Sequence, residues 1–152
     1  MYIAPQFSIF MVNKPGVLAN VLSEFAKAKI NIIAMTMMDS AEHGVMRVIF
    51  GSADKAKQVL KKLNMSYNMT DVLCVNLTNH SGALADVVVR LANHHINITY
   101  AYCTAGAKGG RTTGVLKVAN VKKAIKILEQ DRKVKTPKSQ PVVRRSKASS
   151  KR

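Results

Sequence analysis

The sequence predicts an α+β fold in which two βαββαβ units follow one another, each with an antiparallel sheet and both helices on one face of it. Two observations carry this prediction. Residues 13–32 recur 66 positions later as residues 79–98, with nine of twenty positions identical and no gap. Both copies also show the same alternation of short β-rich runs and amphipathic segments. Internal self-similarity of this kind indicates a repeated structural unit.

The repeat includes residues that a shared helical pattern does not explain. Apolar positions would match in any two amphipathic helices. Two asparagines and a glycine are also identical, as the pairs Asn13/Asn79, Asn31/Asn97 and Gly16/Gly82. Duplication therefore explains the similarity better than common periodicity does.

In each copy, a first strand leads through a short turn into a helix. Segments 7–12 and 72–78 are apolar, β-rich runs and predict strands. The turns Asn-Lys-Pro-Gly and Asn-His-Ser-Gly suit a helix start, because asparagine caps free amides and proline fits the first turn. The helices that follow carry one apolar stripe, as a helix lying on a sheet must. The stripe consists of Val17, Leu18, Val21, Leu22 and Phe25 in the first copy, and of Ala83, Leu84, Val87, Val88 and Leu91 in the second.

A hairpin, a second helix and a closing strand complete the predicted unit. Hairpin strands are predicted at 30–38 and 45–50 in the first copy and at 96–104 and 113–118 in the second. Second helices are predicted at 53–63 and 120–129, each with one apolar face. A fourth strand is predicted at 67–70. No apolar strand follows Glu129, so the second copy shows no fourth strand of its own.

This order of elements is that of a ferredoxin-like fold. A unit of roughly 60–65 residues buries too little surface to be stable alone. We therefore expect the two units to share an interface, most simply as an eight-stranded sheet with four helices. The predicted divisions are a first unit at 1–70, a second unit at 71–131 and a disordered basic tail at 132–152.

The net charge of +16 is unevenly distributed. Nine of the 24 Lys and Arg residues lie at or after Arg132, so the segment 1–131 carries only +7. The tail is rich in Lys, Ser and Pro, which predicts disorder. Such a tail either keeps a protein soluble or binds nucleic acid or another acidic partner by releasing counterions.

Composition disfavours membrane and secreted proteins. No apolar run has the length of a membrane span, and the N-terminus lacks the features of a secretory signal. Cys74 and Cys103 have no CxxC spacing, which indicates reduced thiols packed as small apolar side chains. We therefore expect a cytoplasmic protein. The methionines, including Met35, Met37 and Met38, are expected to fill the core.

Neither a catalytic nor a metal-binding motif is evident. The sequence has no GxSxG, HExxH or paired acidic motif, and the glycine-rich segment 105–111 lacks phosphate-binding spacing. His94 and His95 are adjacent and face different directions, so we expect them at a helix C-terminus. His43 and His80 lie in separate turns without a carboxylate or thiol at ligand spacing. The prediction is a non-enzymatic protein without cofactor or metal.

The segment NKPGVLANVL followed by INI resembles the ACT domain, a regulatory module that senses amino acids on many biosynthetic enzymes, including phosphoglycerate dehydrogenase. The resemblance covers residues 6–130, and the whole chain is similar to small stand-alone tandem ACT proteins without a catalytic domain. It implies an amino-acid site where two units meet, formed by the turn after the first strand and an asparagine at the start of the second. The implied ligand-binding residues are Asn13, Lys14, Pro15, Gly16, Val17, Leu18 and Asn31 in the first copy, and Asn79, His80, Ser81, Gly82, Ala83, Leu84 and Asn97 in the second.

Physical chemistry supports these roles independently. A helix N-terminus offers free amides and the positive end of a dipole to a carboxylate. Glycine permits close approach of the backbone, and an asparagine offers both a donor and an acceptor to a zwitterion. The alternative interpretation is that the asparagines at positions 13 and 79 only cap helices and that those at 31 and 97 are ordinary turn residues.

The two copies also depart from the family pattern. Ser81 stands where the family usually has proline. Met11 and Leu77 stand where some serine-binding relatives have histidine, so serine is not supported as ligand. If these apolar residues and Met35 and Met37 line the site, they favour an apolar ligand side chain. If only one site works, the first is favoured, because it keeps Pro15 and a fourth strand.

The leading hypothesis is a non-catalytic sensor, a monomer or a homodimer, that binds an amino acid or similar small metabolite between its units and so alters contact with a partner. One alternative is a nucleic-acid-binding protein that acts through residues 132–152. Another is a regulatory subunit of a separate biosynthetic enzyme.

Overall fold

The computed structural model describes residues 1–39, 43–104 and 112–134. The elements in these ranges are β1 (Tyr2–Val12), α1 (Val17–Lys27), β2 (Ile32–Asp39), β3 (His43–Phe50), α2 (Ala53–Lys62), β4 (Tyr67–Leu77), α3 (Ala83–Asn93), β5 (Ile98–Cys103), β6 (Thr112–Val118) and α4 (Val121–Val134). The predicted α+β order of strands and helices is confirmed. The glycine-rich segment at 105–111 and the tail from residue 135 lie outside the described residues, and α4 extends past the predicted start of the tail, to Val134.

The described strands form a single antiparallel sheet with the order β2-β3-β1-β4-β6-β5. The expectation of eight strands is wrong, because β1 and β4 are each eleven residues long and each serves both units. The segments predicted separately at 67–70 and 72–78 are one continuous strand, β4. The proposed boundary between residues 70 and 71 therefore falls inside a strand.

The first half of β1 supplies the fourth strand of the second unit. β1 pairs with β4 from Tyr2 opposite Cys74 to Ile9 opposite Tyr67. The first residues of β1 pair with the second half of β4. On its other side, that half of β4 pairs with β6, starting at Leu73. The start of the chain thus lies where a fourth strand belongs, which explains why the sequence has none after α4.

Pro5 and Asp71 lie on a local twofold axis. They face each other in the β1–β4 pairing, and their separation along the chain equals the offset of the repeat. Adding or subtracting the repeat offset therefore converts each pair of facing residues in β1 and β4 into another such pair. The two units consequently run outward from this axis in opposite directions.

All four helices pack on one face of the sheet. Phe7 of β1 packs with Val21 and Phe25 of α1 and with buried residues of α2. Leu73 of β4 packs with Leu91 of α3 and with buried residues of α4. Phe7 lies opposite Met69, which is on the same face of β4 as Leu73, so both cores lie on one side. The predicted helical stripes are confirmed as the core-facing surface.

No described helix covers the other face of the sheet, where Gln6 is nevertheless fully buried. Its amide Nε2 donates to the Tyr100 hydroxyl at 2.7 Å, and the Tyr102 hydroxyl donates to its Oε1 at 2.9 Å. Two strands separate β1 from β5, so a flat sheet would hold them about 14 Å apart. These hydrogen bonds therefore require a sheet that curls toward this face.

Several side-chain expectations can be compared directly. Met35, Met37 and Met38 are 38%, 40% and 48% exposed, so their prediction as core residues is wrong; they lie on β2, an edge strand. Cys74 is buried as expected, whereas Cys103 on the other edge strand is exposed. No described helix combines the length and apolar character that crossing a bilayer requires.

Candidate functional site

The turns that precede α1 and α3 have the same backbone geometry. Gly16 and Gly82 are the N-cap residues, with φ of 87° and 90°. This left-handed conformation is easy for glycine and strained for other residues, which explains why the glycine recurs. Beyond the chain neighbours, open space surrounds each glycine where a Cβ would be. A ligand can therefore approach the backbone of both turns.

Asparagine does not cap these helices. No side chain caps the first turn of α1 or α3, so the capping prediction for Asn13 and Asn79 is wrong. Both side chains are exposed, three positions before the glycine. Backbone bonds close each turn instead: the Val17 amide donates to the Lys14 carbonyl, and the equivalent first amide of α3 donates to the His80 carbonyl, both at 3.3 Å.

A cavity adjoins each turn. The first cavity, of 420 Å³, lies between the end of β1, the first turns of α1 and the segment after α2. The second cavity, of 430 Å³, lies between the end of β4, α3 and the middle of α4. Lining residues at equivalent positions of the repeat are Phe10/Asn76, Met11/Leu77, Val12/Thr78, Val17/Ala83, Asn20/Asp86 and Val21/Val87. The duplication has produced two equivalent cavities, both within the size range of small-molecule sites.

The predicted turn residues divide into three groups. Val17 lines the first cavity, and His80 and Ala83 line the second. Leu18 and Leu84 are half-buried and pack against the two cores. Exposed on the turns are Asn13, Lys14, Pro15, Gly16, Asn79, Ser81 and Gly82.

Asn31 and Asn97 lie far from the turns of their own units. Val12, at the first turn, pairs with His43, whereas Asn31 precedes Ile32, which pairs with Phe50. These two places lie at opposite ends of β3, roughly 23 Å apart. The second unit has the same arrangement along β6. The structure does not bring the second asparagine of a unit to that unit's turn.

Sequence reasoning missed the charged residues of the second cavity. Asp86 and Arg90 line that cavity, whereas the residues that line the first are uncharged. Comparing the copies position by position would have revealed them, since Asn20/Asp86 and Glu24/Arg90 change charge within otherwise similar helices. Among the described residues, no three His, Cys, Asp or Glu side chains converge as metal ligands would.

Glu24 and Arg90, which are equivalent positions, each join the first helix of a unit to the second. The Glu24 carboxylate accepts hydrogen bonds from Lys27 at 2.6 Å and from Lys62 of α2 at 3.2 Å. These two bonds hold the Glu24 pKa below its usual value. Arg90 donates to the Leu128 carbonyl of α4. Because Phe7 pairs with Val48 whereas Leu73 pairs with Leu116, Leu128 is the equivalent of Leu60 rather than of Lys62. Both units therefore have a contact between their two helices at this position, made through different partners and different chemistry.

Comparison with known proteins identifies the family. A search of curated proteins gave no significant match, but a family model described as an ACT domain pair matches residues 1–136. The solved protein BT0572 from Bacteroides thetaiotaomicron is 34% identical, with a TM-score of 0.79 over 86% of this chain and 89% of that chain.

Two structures of low identity share the fold. The ligand-free regulatory subunit of aspartate kinase from Thermus thermophilus is 13% identical, with a TM-score of 0.59 over 86% of this chain and 97% of that chain. Aspartokinase III from E. coli, solved in complex with lysine and aspartate, is 14% identical, with a TM-score of 0.51 over 87% of this chain and 31% of that chain. Because the family model spans most of the sequence and a 34% identical protein matches over most of its length, the chain belongs to the ACT domain pair family.

Proposed function

We propose that this protein is a non-catalytic regulator that binds an amino acid or a similar small metabolite at the turn and adjoining cavity of at least one of its two units. The observation that carries the proposal is the paired geometry: each copy keeps an accessible glycine at the start of a helix and a cavity beside it. Proteins of the same fold that were solved as a regulatory subunit and as a complex with two amino acids support it.

The chemistry of the turns suits a small anion or zwitterion. The free amides and the positive dipole end at the start of α1 and α3 favour a carboxylate. Glycine at the N-cap allows that carboxylate to approach the backbone closely. Since Asn31 and Asn97 lie away from the turns of their own units, we propose that they contribute to a site only from a neighbouring copy in a homodimer.

The regulatory output is proposed to be a changed contact with a partner in the cytoplasm. A ligand can shift this contact only as far as its affinities for the two states differ. A regulatory subunit of a separate enzyme would use the same ligand site and would in addition form a stable hetero-complex. The nucleic-acid alternative depends on residues 132–152, most of which lie outside the described residues, and stays a hypothesis.

A thermal-shift screen of the full chain against the twenty amino acids tests the proposal. A ligand at 100 times its dissociation constant adds about 2.7 kcal/mol to the free energy of unfolding. For a protein of this size, that raises Tm by at least about 5 °C. We expect such a rise for one amino acid or a few chemically related ones. If none of the twenty raises Tm, the amino-acid function is wrong.

Cavity-filling variants show where the ligand binds. Ala83→Leu fills the second cavity and Val17→Phe fills the first. Ala85→Leu, on the exposed side of α3, is the matched control for added volume on the same helix. We expect one of the two filling variants, and not the control, to lose the ligand-induced rise in Tm.

A further inference from the structure

We propose that the two equivalent cavities have diverged, and that the second cavity, between β4 and α3, binds α-amino acids with apolar side chains, whereas the first does not hold a zwitterion. This inference rests on the proposed function and specifies which of the two places carries it and which groups recognise the ligand.

The second cavity presents opposite charges one helical turn apart. Asp86 and Arg90 both line it, and residues four apart on a helix have Cβ atoms roughly 5–6 Å from each other. The Asp86 side chain is exposed and forms no hydrogen bond or ion pair with any described residue. Arg90 donates to the Leu128 carbonyl at the edge of the cavity. An α-ammonium group can therefore pair with the free carboxylate.

The α-carboxylate of the same ligand can face the guanidinium and the start of α3. Arginine binds carboxylates through charge-assisted hydrogen bonds, and the dipole of α3 adds to the attraction at its N-terminus. His80, in the turn before α3, also lines the cavity and points its Nδ1 at the Ser81 carbonyl oxygen, 2.8 Å away. Both charged groups of an amino acid thus meet groups of complementary charge or polarity at one end of the cavity.

The remaining wall of the second cavity combines the polar residues Asn76 and Thr78 with an apolar part. The apolar part consists of Val75 and Leu77 of β4, Val87 of α3 and Leu128 of α4, and all four are buried in the core. An apolar ligand side chain would leave water there and gain the corresponding hydrophobic free energy. The cavity therefore fits leucine, valine or methionine better than an amino acid with a second charge.

The first cavity lacks the charged groups. Asn20 stands where the second cavity has its aspartate, and Glu24, at the position of the arginine, does not line the cavity and is bonded to two lysines. Its walls are mainly apolar, with Phe10, Met11 and Met65 among the lining residues. A charged ammonium group that enters such a cavity loses water and meets no opposite charge, only the neutral polar side chains of Asn20, Asn64 and Ser66. The first cavity therefore disfavours a zwitterion.

Isothermal titration of the full chain with L-leucine, L-isoleucine, L-valine, L-methionine and L-phenylalanine tests this inference. For the amino acid that binds the wild type most tightly, we expect Asp86→Asn to raise the dissociation constant at least tenfold. Asn20→Asp places a carboxylate at the equivalent position of the first cavity, and its dissociation constant should stay within twofold of the wild-type value. Asp54→Asn removes the same charge from an exposed site on α2 and should also leave it within twofold.

Two analogues test the recognition of each charged group of leucine. Isocaproate lacks the ammonium group and isoamylamine lacks the carboxylate, and we expect both to bind the wild type at least tenfold more weakly than leucine. An unchanged Tm of ligand-free Asp86→Asn establishes that the variant is folded.

The possible failures are distinguishable. If Asp86→Asn binds amino acids as the wild type does, or if Val17→Phe abolishes binding instead, the inference is wrong while the amino-acid function stands. If none of the twenty amino acids binds the wild type, both the function and the inference are wrong.

Discussion

The buried amide of Gln6 shows how single residues hold the two units together on the face without helices. Gln6 belongs to β1, and its two partners, Tyr100 and Tyr102, belong to β5 at the far edge of the second unit. Arg47 of β3 lies over the Tyr100 ring, 4.2 Å from its centroid, which is within the range of a cation–π interaction. Three strands from both units are thus joined by polar side chains across the curled sheet.

Removing the Tyr102 hydroxyl is expected to destabilise the fold. Tyr102→Phe leaves the Gln6 Oε1 atom buried without its donor, and an unsatisfied buried acceptor costs about 1–3 kcal/mol of unfolding free energy. Tyr67→Phe is the matched control, because Tyr67 packs its ring against Phe7 and none of the described residues bonds its hydroxyl. Urea denaturation at neutral pH measures both variants. Equal stabilities of the two variants would contradict the prediction.

The same substitution is expected to alter the response to high pH. Burial raises the pKa of Tyr102 well above its usual value near 10. As the pH rises, the unfolded chain therefore loses this proton before the folded chain does. The contribution of this group to the free energy of unfolding is complete below about pH 10. Above that pH it falls by up to about 1.4 kcal/mol per pH unit. Tyr102→Phe should flatten this alkaline loss. Burial also raises the pKa values of Tyr2 and Cys74, so a smaller loss remains.

At the residue scale, the sequence predicted what depends on local periodicity. The stripes ending at Phe25 and Leu91 are buried as expected, because helical spacing alone defines that face. The environment of Gln6 depends on the curl of the sheet and on a strand from the far end of the chain, which no local pattern contains. The charged pair on α3 was present in the sequence but became a candidate only once its cavity was known.

The helix ends follow the repeat as closely as the helix starts do. Lys29 and His95, which are equivalent positions of the repeat, both have positive φ, 53° and 56°, just after α1 and α3. His94 is the C-cap of α3, which confirms the predicted place of the histidine pair. Short-range signals therefore predicted both limits of α2 and the start of α4 to within one residue, whereas α4 ends five residues later than predicted.

Strand pairing was the part of the fold that the sequence could not supply. The polar Asp71 interrupts the apolar pattern between 67–70 and 72–78, which suggested two strands. In the structure, Asp71 is the twofold position opposite Pro5 and the strand continues through it. Alternation predicts which face a side chain occupies but not which strand lies beside it. The sequence pattern therefore could not predict that both units share β1 and β4.

Removing residues 1–4 is expected to destabilise the second unit selectively. These residues include Ile3 and Ala4, which pair with Leu73 and Val72, and Met1, which packs against the second core. Hydrogen exchange measured by mass spectrometry should show faster exchange in α3, β6 and α4. Peptides from α1 and β3 of the same sample are the internal control. Equal acceleration in both units would show that the start of β1 does not belong preferentially to the second.

At the scale of the whole molecule, the two edges of the sheet differ. β2 is the longer edge strand, and Ile33, Met35, Met37 and Met38 on it are between 38% and 48% exposed. A long edge strand with exposed apolar side chains is a template for pairing with another chain. We propose this edge as the interface of a homodimer.

A charge on the β2 edge is expected to prevent self-association. Met37→Lys should convert a dimer of the full chain to a monomer, because lysine on an edge strand opposes strand pairing. Val89→Lys, at a position on α3 that is 55% exposed, is the control for added charge. Light scattering after size exclusion measures the mass of each. A wild type that is monomeric at all concentrations, or a Met37→Lys variant that stays dimeric, would rule out this interface.

The two long strands give each cavity a mechanical connection to the other. β1 ends among the residues that line the first cavity, and Met1, just before β1, lines the second. β4 ends at the second cavity, and Met65 and Ser66, just before β4, line the first. A strand of eleven residues spans about 36 Å, so either strand can carry a displacement from one cavity wall to the other. Any effect of a ligand in one cavity on the affinity for a ligand in the other must be reciprocal.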